Sequence, residues 1–150
     1  MSSSTSTAVV QKSVLVDAPP EEAFRAFTAG LSDWWPFETH SIGGERTQRV
    51  VFEEREGGRV YEIVETGEEE DWATVLAWEP PQRFVISWRV NKTEPATEVE
   101  VRFSAEGDGT RVELDHRGWE SAGPDGAADR GSYDKGWDHV LGRYVAALAR

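Results

Sequence analysis

The sequence contains 150 residues, no cysteine and a formal net charge of −12 at pH 7. A chain of this length forms one domain with a buried core. The absence of cysteine excludes disulfides, thiol catalysis and thiolate-bound metals, and the negative charge disfavours binding to nucleic acid or to anionic membranes. Since no apolar run reaches the length of a membrane span, we predict no membrane association.

The N-terminal residues 1–8 are rich in serine and threonine, and they lack both the basic start and the apolar run of a signal peptide. We therefore expect a disordered tail over residues 1–8 and a single folded domain over residues 9–150. Because no export signal is recognised, the expected compartment is the cytoplasm.

The first part of the domain is predicted to form a strand and two short helices. Polar and apolar residues alternate over Val10–Val16, which is typical of a strand. Pro20 suits the first position of a helix, and the two glutamates that follow complement the positive end of the helix dipole. A second short helix or turn is predicted over residues 32–36. Helices this short cannot form a core alone, so we expect them to pack on a sheet.

Six further strands are predicted, because short runs of strand-forming residues are separated by glycine, proline and asparagine turns. These strands cover residues 49–54, 59–65, 72–78, 83–90, 97–104 and 110–119. Short connections between consecutive strands favour an antiparallel arrangement.

The last segment, residues 129–150, carries a long apolar stripe of the kind found on α-helices. Its apolar residues recur at spacings of three, four and seven, at Tyr133, Trp137, Val140, Leu141, Tyr144, Val145 and Leu148. A helix of about 20 residues is roughly 30 Å long, which is enough to cross a small domain. We therefore predict an α+β fold, in which a seven-stranded antiparallel sheet wraps around a long C-terminal helix.

Strand alternation assigns several side chains to the interior. His116 shares one side of its strand with Leu114, so it is predicted to face inward, whereas Asp115 faces the opposite way and cannot form a dyad with it. The same reasoning assigns Trp72 and Leu76 to the interior.

The alternation of residues 60–65 leaves two choices open: either Tyr61 faces inward or Glu62 does. An inward Glu62 could orient a ligand or serve in acid–base chemistry, or it could simply be satisfied by its neighbours.

The seven tryptophans also allow two interpretations. They are either ordinary core residues or the walls of a pocket for an apolar ligand. The three histidines lack metal-ligand spacing, and the acidic run at residues 68–71 is typical of a solvated hairpin. We predict no metal site and no cofactor.

Six short motifs resemble the bacterial single-domain branch of the activator-of-heat-shock-ATPase-like family. They are WWP at residues 34–36, HSIG at 40–43, GGRVYE at 57–62, WEPP at 78–81, ELDHRGW at 113–119 and YDKGW at 133–137. The family belongs to the helix-grip (START-like) superfamily of lipid-transfer, pollen-allergen and polyketide-cyclase domains. The resemblance covers about residues 10–148 and implies a helix-grip fold with a hydrophobic cavity between sheet and helix.

The leading functional prediction is binding of a small hydrophobic or aromatic molecule in that cavity. Two alternatives are a chaperone-cofactor or protein-interaction role, and a cofactor-free cyclase, dehydratase or hydrolase, for which no catalytic residue is assigned. The predicted ligand-binding residues are Trp34, Trp35, His40, Tyr61, Glu62, Trp72, Leu76, Trp88, Val99, Val101, His116, Trp119, Tyr133 and Trp137.

Overall fold

The computed structural model describes residues 10–36, 44–88, 97–118 and 126–149, and within the last range it describes side chains from residue 135. The strands are β1 (Val10–Val16), β2 (Thr47–Phe52), β3 (Arg59–Val64), β4 (Glu69–Glu79), β5 (Arg83–Trp88), β6 (Thr97–Glu106) and β7 (Gly109–Arg117). The helices are α1 (Pro20–Phe27), two one-turn 3₁₀ helices (Leu31–Asp33 and Gly44–Arg46) and α2 (Gly126–Leu148).

The seven strands form one sheet in the order β1-β7-β6-β5-β4-β3-β2. Every neighbouring pair of strands is antiparallel. Strands β2 to β7 pair in the order of the sequence, and β1 pairs with β7 at the edge of the sheet. The sheet curls into a half-barrel around α2. The predicted α+β helix-grip fold is confirmed, with the strand, the short helices and the long C-terminal helix in the expected order.

Helix α2 buries its apolar stripe against the concave face of the sheet. Trp137, Leu141 and Tyr144 are buried, whereas Gly142 on the other side is exposed. The spacing of the buried positions therefore matches the helical stripe seen in the sequence. An ion pair of 3.0 Å between Lys12 Nζ of β1 and Asp138 Oδ1 adds a contact between the helix and the edge of the sheet.

Helix α1 is linked to α2 by three hydrogen bonds, of which one is buried and two are half-buried. The hydroxyl group of Tyr144 donates to the carbonyl of Ala23 over 2.8 Å. The indole N–H of Trp34 donates to the carbonyl of Ala26, also over 2.8 Å, and the Trp34 carbonyl accepts from Arg143 Nε over 2.8 Å. Each bond satisfies a carbonyl or ring donor that would otherwise be costly to bury. The two helices therefore form one packed unit on the sheet.

Strand β4 contains two irregularities that reverse its alternation. Its register with β3 skips Trp72, and its register with β5 skips Leu76. A bulge of this kind turns the following residues to the other face. Ala73 and Val75 therefore follow Trp72 into the interior, and Leu76 is 42% exposed. The assignment of Leu76 to the interior binding residues is wrong for this reason.

Strand β3 resolves the choice that its sequence left open. Glu62 is buried between Val60 and Val64 on the concave face. Tyr61 lies on the outer face, where the guanidinium of Arg59 sits 4.0 Å from the centre of its ring. Tyr61 therefore does not belong to the interior set of binding residues.

Candidate functional site

Four indole rings meet at the centre of the interior, and we call Trp35, Trp72, Trp88 and Trp137 the tryptophan quartet. Their ring centres are 5.1 Å apart for Trp35 and Trp72, 6.1 Å for Trp72 and Trp88, 5.3 Å for Trp88 and Trp137, and 6.0 Å for Trp35 and Trp137. All four are at most 5% exposed. The angles between the ring planes range from 46° to 84°, which are tilted or edge-on contacts of the kind that aromatic rings prefer.

His116 lies beside the quartet, fully buried on β7. Trp137 Nε1 donates to His116 Nδ1 over 3.0 Å, and His116 Nε2 lies 2.7 Å from the hydroxyl oxygen of Thr97. An indole nitrogen can only donate, so Nδ1 of His116 must be the unprotonated nitrogen. The imidazole is therefore neutral with its proton on Nε2, and it donates that proton to Thr97.

Burial also determines the charge of His116. Desolvation disfavours the imidazolium and lowers the pKa of His116 to about 3. The prediction that His116 faces the interior is confirmed by its burial. His116 can accept and donate hydrogen bonds at neutral pH, but it carries no positive charge for binding an anion.

Glu62 forms the second buried polar group of the interior. Trp72 Nε1 donates to its Oε1 over 2.6 Å, and the hydroxyl of Thr47 donates to its Oε2 over 2.8 Å. Glu62 and His116 are thus bonded to different members of the quartet, since His116 is bonded to Trp137. Both ring nitrogens of His116 are thus occupied by Thr97 and Trp137.

The part of the interior that the described residues enclose is filled by side chains. The free volume around the quartet is about 10 Å³, which is roughly the space that one water molecule needs. The expected hydrophobic cavity is therefore not open around the quartet in the part of the interior that the described residues enclose. The rings pack against one another as a core.

The other predicted binding residues fall into three groups. Val99 and Val101 are buried on the concave face of β6, as predicted. Trp34 is buried next to Trp35, at a ring distance of 5.7 Å, but packs against α1 and α2. Three predicted residues lie outside the described side chains, namely His40, Trp119 and Tyr133.

Sequence reasoning missed the two threonines that hydrogen-bond to the buried polar groups. Thr97 alternates in step with the inward valines of β6, so its position was available from the strand pattern. The inward position of Thr47 could not be predicted from alternation, because the pairing of β2 with β3 shifts register between Thr47 and Arg49. A register shift hides the facing direction of a residue from any simple alternation rule.

The curled sheet, the long helix in its concave face and the ring-filled interior define a helix-grip protein. The chain belongs to the family of activator of Hsp90 ATPase homolog 1-like proteins, whose family model matches residues 17–149. No match was found among curated proteins. Within the described residues, no helix is both long and apolar enough to span a bilayer.

Several solved structures are similar to this chain. The self-sacrificing resistance protein CalC from Micromonospora echinospora is 31% identical, with a TM-score of 0.70 and coverage of 95% of this chain and 94% of CalC. The anthrahydroquino-gamma-pyrone synthase Txn09, solved as a complex, is 38% identical, with a TM-score of 0.59 and coverage of 82% and 84%. The Aha1 dimer from Colwellia psychrerythraea is 19% identical, with a TM-score of 0.69 and coverage of 93% and 95%, and it shows the shared fold alone.

Proposed function

We propose that the protein binds a small planar aromatic molecule between the concave face of the sheet and helix α2. The observation that carries this proposal is the tryptophan quartet, whose rings meet at the centre of the interior. Indole walls bind flat rings through stacked and edge-on contacts. Glu62 and His116 lie at the edge of this set and could orient the polar atoms of such a ligand.

The comparisons support a ligand of this class. The name of Txn09 specifies the synthesis of a fused-ring aromatic compound, and CalC is named as a resistance protein. Both are more than 30% identical to this chain over most of its length. The net charge of −12 favours a neutral or cationic molecule over an anion.

A protein-interaction or chaperone-cofactor role receives less support from the described surface. Its two exposed large apolar side chains are Leu15 on β1 and Leu76 on β4. Three strands of the sheet separate β1 from β4, so these side chains do not form a continuous patch. Contiguous apolar area is what marks a docking surface.

Calorimetric titration of the purified protein with naphthalene and with decalin tests the binding proposal. The two probes are similar in size and apolarity, but only naphthalene is aromatic. We expect naphthalene to bind at least tenfold more tightly and to change the tryptophan emission, because the quartet lines its site. Equal affinity for the two probes, or no binding of naphthalene, would refute binding by aromatic walls.

A second candidate function is a cofactor-free cyclisation, which the buried carboxyl of Glu62 and the 38% identity to a synthase favour. In such a step an aryl hydroxyl of a bound aryl β-diketone would add to a ketone carbon of the same molecule, the new C–O bond would close a pyrone ring, and water would leave; Glu62 would take the hydroxyl proton and return it to the departing oxygen. Its test is absorbance-monitored ring closure by wild-type protein and by Glu62→Gln. A loss of at least about 100-fold in rate with unchanged binding supports the reaction, since general acid–base groups contribute that much. No turnover by the wild-type protein rules it out.

A further inference from the structure

The interior combines two properties that conflict in a binding protein. Its walls are aromatic, yet its free volume is only about 10 Å³. Protein interiors are packed as densely as organic crystals, so a ring cannot enter between side chains that stay in place. A bicyclic ligand can therefore bind here only if a side chain of similar size leaves.

The four tryptophans of the quartet differ in whether their backbone belongs to a strand or helix. Trp72 stands on β4, Trp88 on β5 and Trp137 near the middle of α2. Trp35 lies two residues beyond the one-turn helix Leu31–Asp33, in no helix or strand. Moving Trp35 therefore disturbs no strand pairing and no long helix.

The residue before Trp35 limits how far such a movement would spread. The side chain of Trp34 is bonded to α1, and its carbonyl accepts from Arg143 on α2. These two hydrogen bonds would keep the backbone of Trp34 in place if the side chain of Trp35 rotated. Trp35 can thus leave the interior without separating the two helices.

We propose that the space filled by the Trp35 indole is the ligand subsite, and that a neutral planar molecule of one or two fused aromatic rings binds there by displacing Trp35. This inference rests on the proposed function. The incoming ring takes over contacts with Trp72, Trp88 and Trp137, whose ring centres lie 5.1, 6.2 and 6.0 Å from that of Trp35. A neutral ligand is specified because a charge would lose its hydration in this apolar interior.

Displacement has a measurable effect on affinity. The ligand binds only to molecules in which Trp35 has left, so its apparent affinity is reduced by the fraction of such molecules. Deleting the side chain of Trp35 removes this reduction in apparent affinity. Indole is the matched probe, because it is the ring that Trp35 itself places in the subsite.

Calorimetric titration with indole compares three proteins. We expect Trp35→Ala to bind indole at least tenfold more tightly than wild type. The matched control is Trp78→Ala, an equal deletion outside the quartet at a ring that packs against Phe24 and Phe52, which we expect to remain within threefold of wild type. If Trp35→Ala is too unstable for calorimetry, a larger rise of its melting temperature with indole than that of wild type gives the same comparison.

Fluorine NMR of wild-type protein labelled with 5-fluorotryptophan observes the displacement directly. The Trp35 resonance is assigned with Trp35→Phe. Saturation with indole is expected to move this resonance to the position of a solvent-exposed fluorotryptophan, while the resonance of Trp78, whose ring packs against Phe24 and Phe52, stays in place.

Each remaining outcome is decisive. Indole bound to wild type with an unmoved Trp35 resonance, or equal affinity of Trp35→Ala and wild type, overturns displacement and leaves the proposed function standing. Binding by Trp35→Ala without any binding by wild type shows only that the deletion leaves a ring-sized cavity, and it overturns both displacement and the proposed function. Absence of binding to both proteins overturns both.

Discussion

Trp137 Nε1 donates a hydrogen bond of 3.0 Å to His116 Nδ1, and this one contact fixes the protonation of the buried imidazole. The donor lies on α2 and the acceptor on β7, so the bond joins the helix to the sheet. Because the indole N–H has no acceptor capacity, the proton of His116 must lie on Nε2. Nε2 then donates to Thr97, which begins β6. Three elements of the fold thus meet in one chain of hydrogen bonds.

The first prediction concerns the tautomer of His116. We expect a long-range ¹H–¹⁵N spectrum at pH 7 to show a protonated Nε2 and an unprotonated Nδ1. The resonance of His116 is assigned with His116→Gln. A protonated Nδ1 on His116 would contradict the hydrogen bond from Trp137.

The second prediction is that His116 makes the protein less stable in acid. Its pKa is about 3 in the folded protein and near 6.5 in the unfolded chain, so the unfolded chain binds more protons between these values. The free energy of unfolding should therefore rise with pH across this window, by at most about 1.4 kcal/mol per pH unit from this group. Urea denaturation of wild type and of His116→Gln between pH 5 and 6.5 measures the contribution.

The lower limit of pH 5 separates His116 from the carboxylates. Desolvation alone would raise the pKa of Glu100, but hydrogen bonds from Arg117 and Arg83 hold it below its usual value. The stability from Glu100 is present above its unfolded pKa and is lost as pH falls through its folded pKa, so it acts at lower pH. An identical pH dependence of wild type and His116→Gln above pH 5 would show that His116 is not buried in its neutral form.

Much of the fold was predictable because its signals are local. The apolar stripe of α2 and the turn residues between strands were sufficient to predict the order of elements. The inward position of His116 followed from its step with Leu114, since β7 pairs regularly with both neighbours. Leu76 was misplaced because the bulge at Trp72 inverts the alternation, and bulges leave little trace in a sequence.

Whether free space remains in the interior was less predictable than which residues line it. The sequence indicates that tryptophans face inward, but ring orientation and mutual packing determine whether space remains between them. Trp35 belongs to no strand or helix, so no periodicity places its ring among the other three. The small free volume around the quartet depends on such positions and could not be inferred from residue types.

The third prediction concerns Glu62, whose two oxygens accept from Trp72 and Thr47. Glu62→Gln keeps an oxygen for the indole N–H, and its amide group can donate to the threonine hydroxyl. Glu62→Gln should cost less than about 1 kcal/mol, whereas Glu62→Leu leaves two buried donors unsatisfied and should cost about 1–3 kcal/mol for each of them. Urea denaturation measures both changes, with the same two substitutions at exposed Glu56 as controls. Equal costs for Glu62→Gln and Glu62→Leu would show that these hydrogen bonds contribute little.

The last prediction separates the two contributions of Trp137, its volume and its hydrogen bond. Trp137→Ala leaves a cavity at the centre of the interior and should cost about 3–5 kcal/mol. Trp137→Phe keeps most of the ring but leaves His116 Nδ1 without its indole donor, so it should cost about 1–3 kcal/mol.

A double-mutant cycle of Trp137→Phe with His116→Leu isolates the bond. Leucine has no acceptor, so the loss of the indole N–H should cost about 1 kcal/mol less in that background than in wild type. Urea denaturation of the four proteins at pH 7 gives the coupling, provided that the denaturant dependence is unchanged. Costs that add within about 0.3 kcal/mol would mean that the two groups act independently. In that case the hydrogen bond between α2 and β7 would not stabilise the packing of the helix on the sheet.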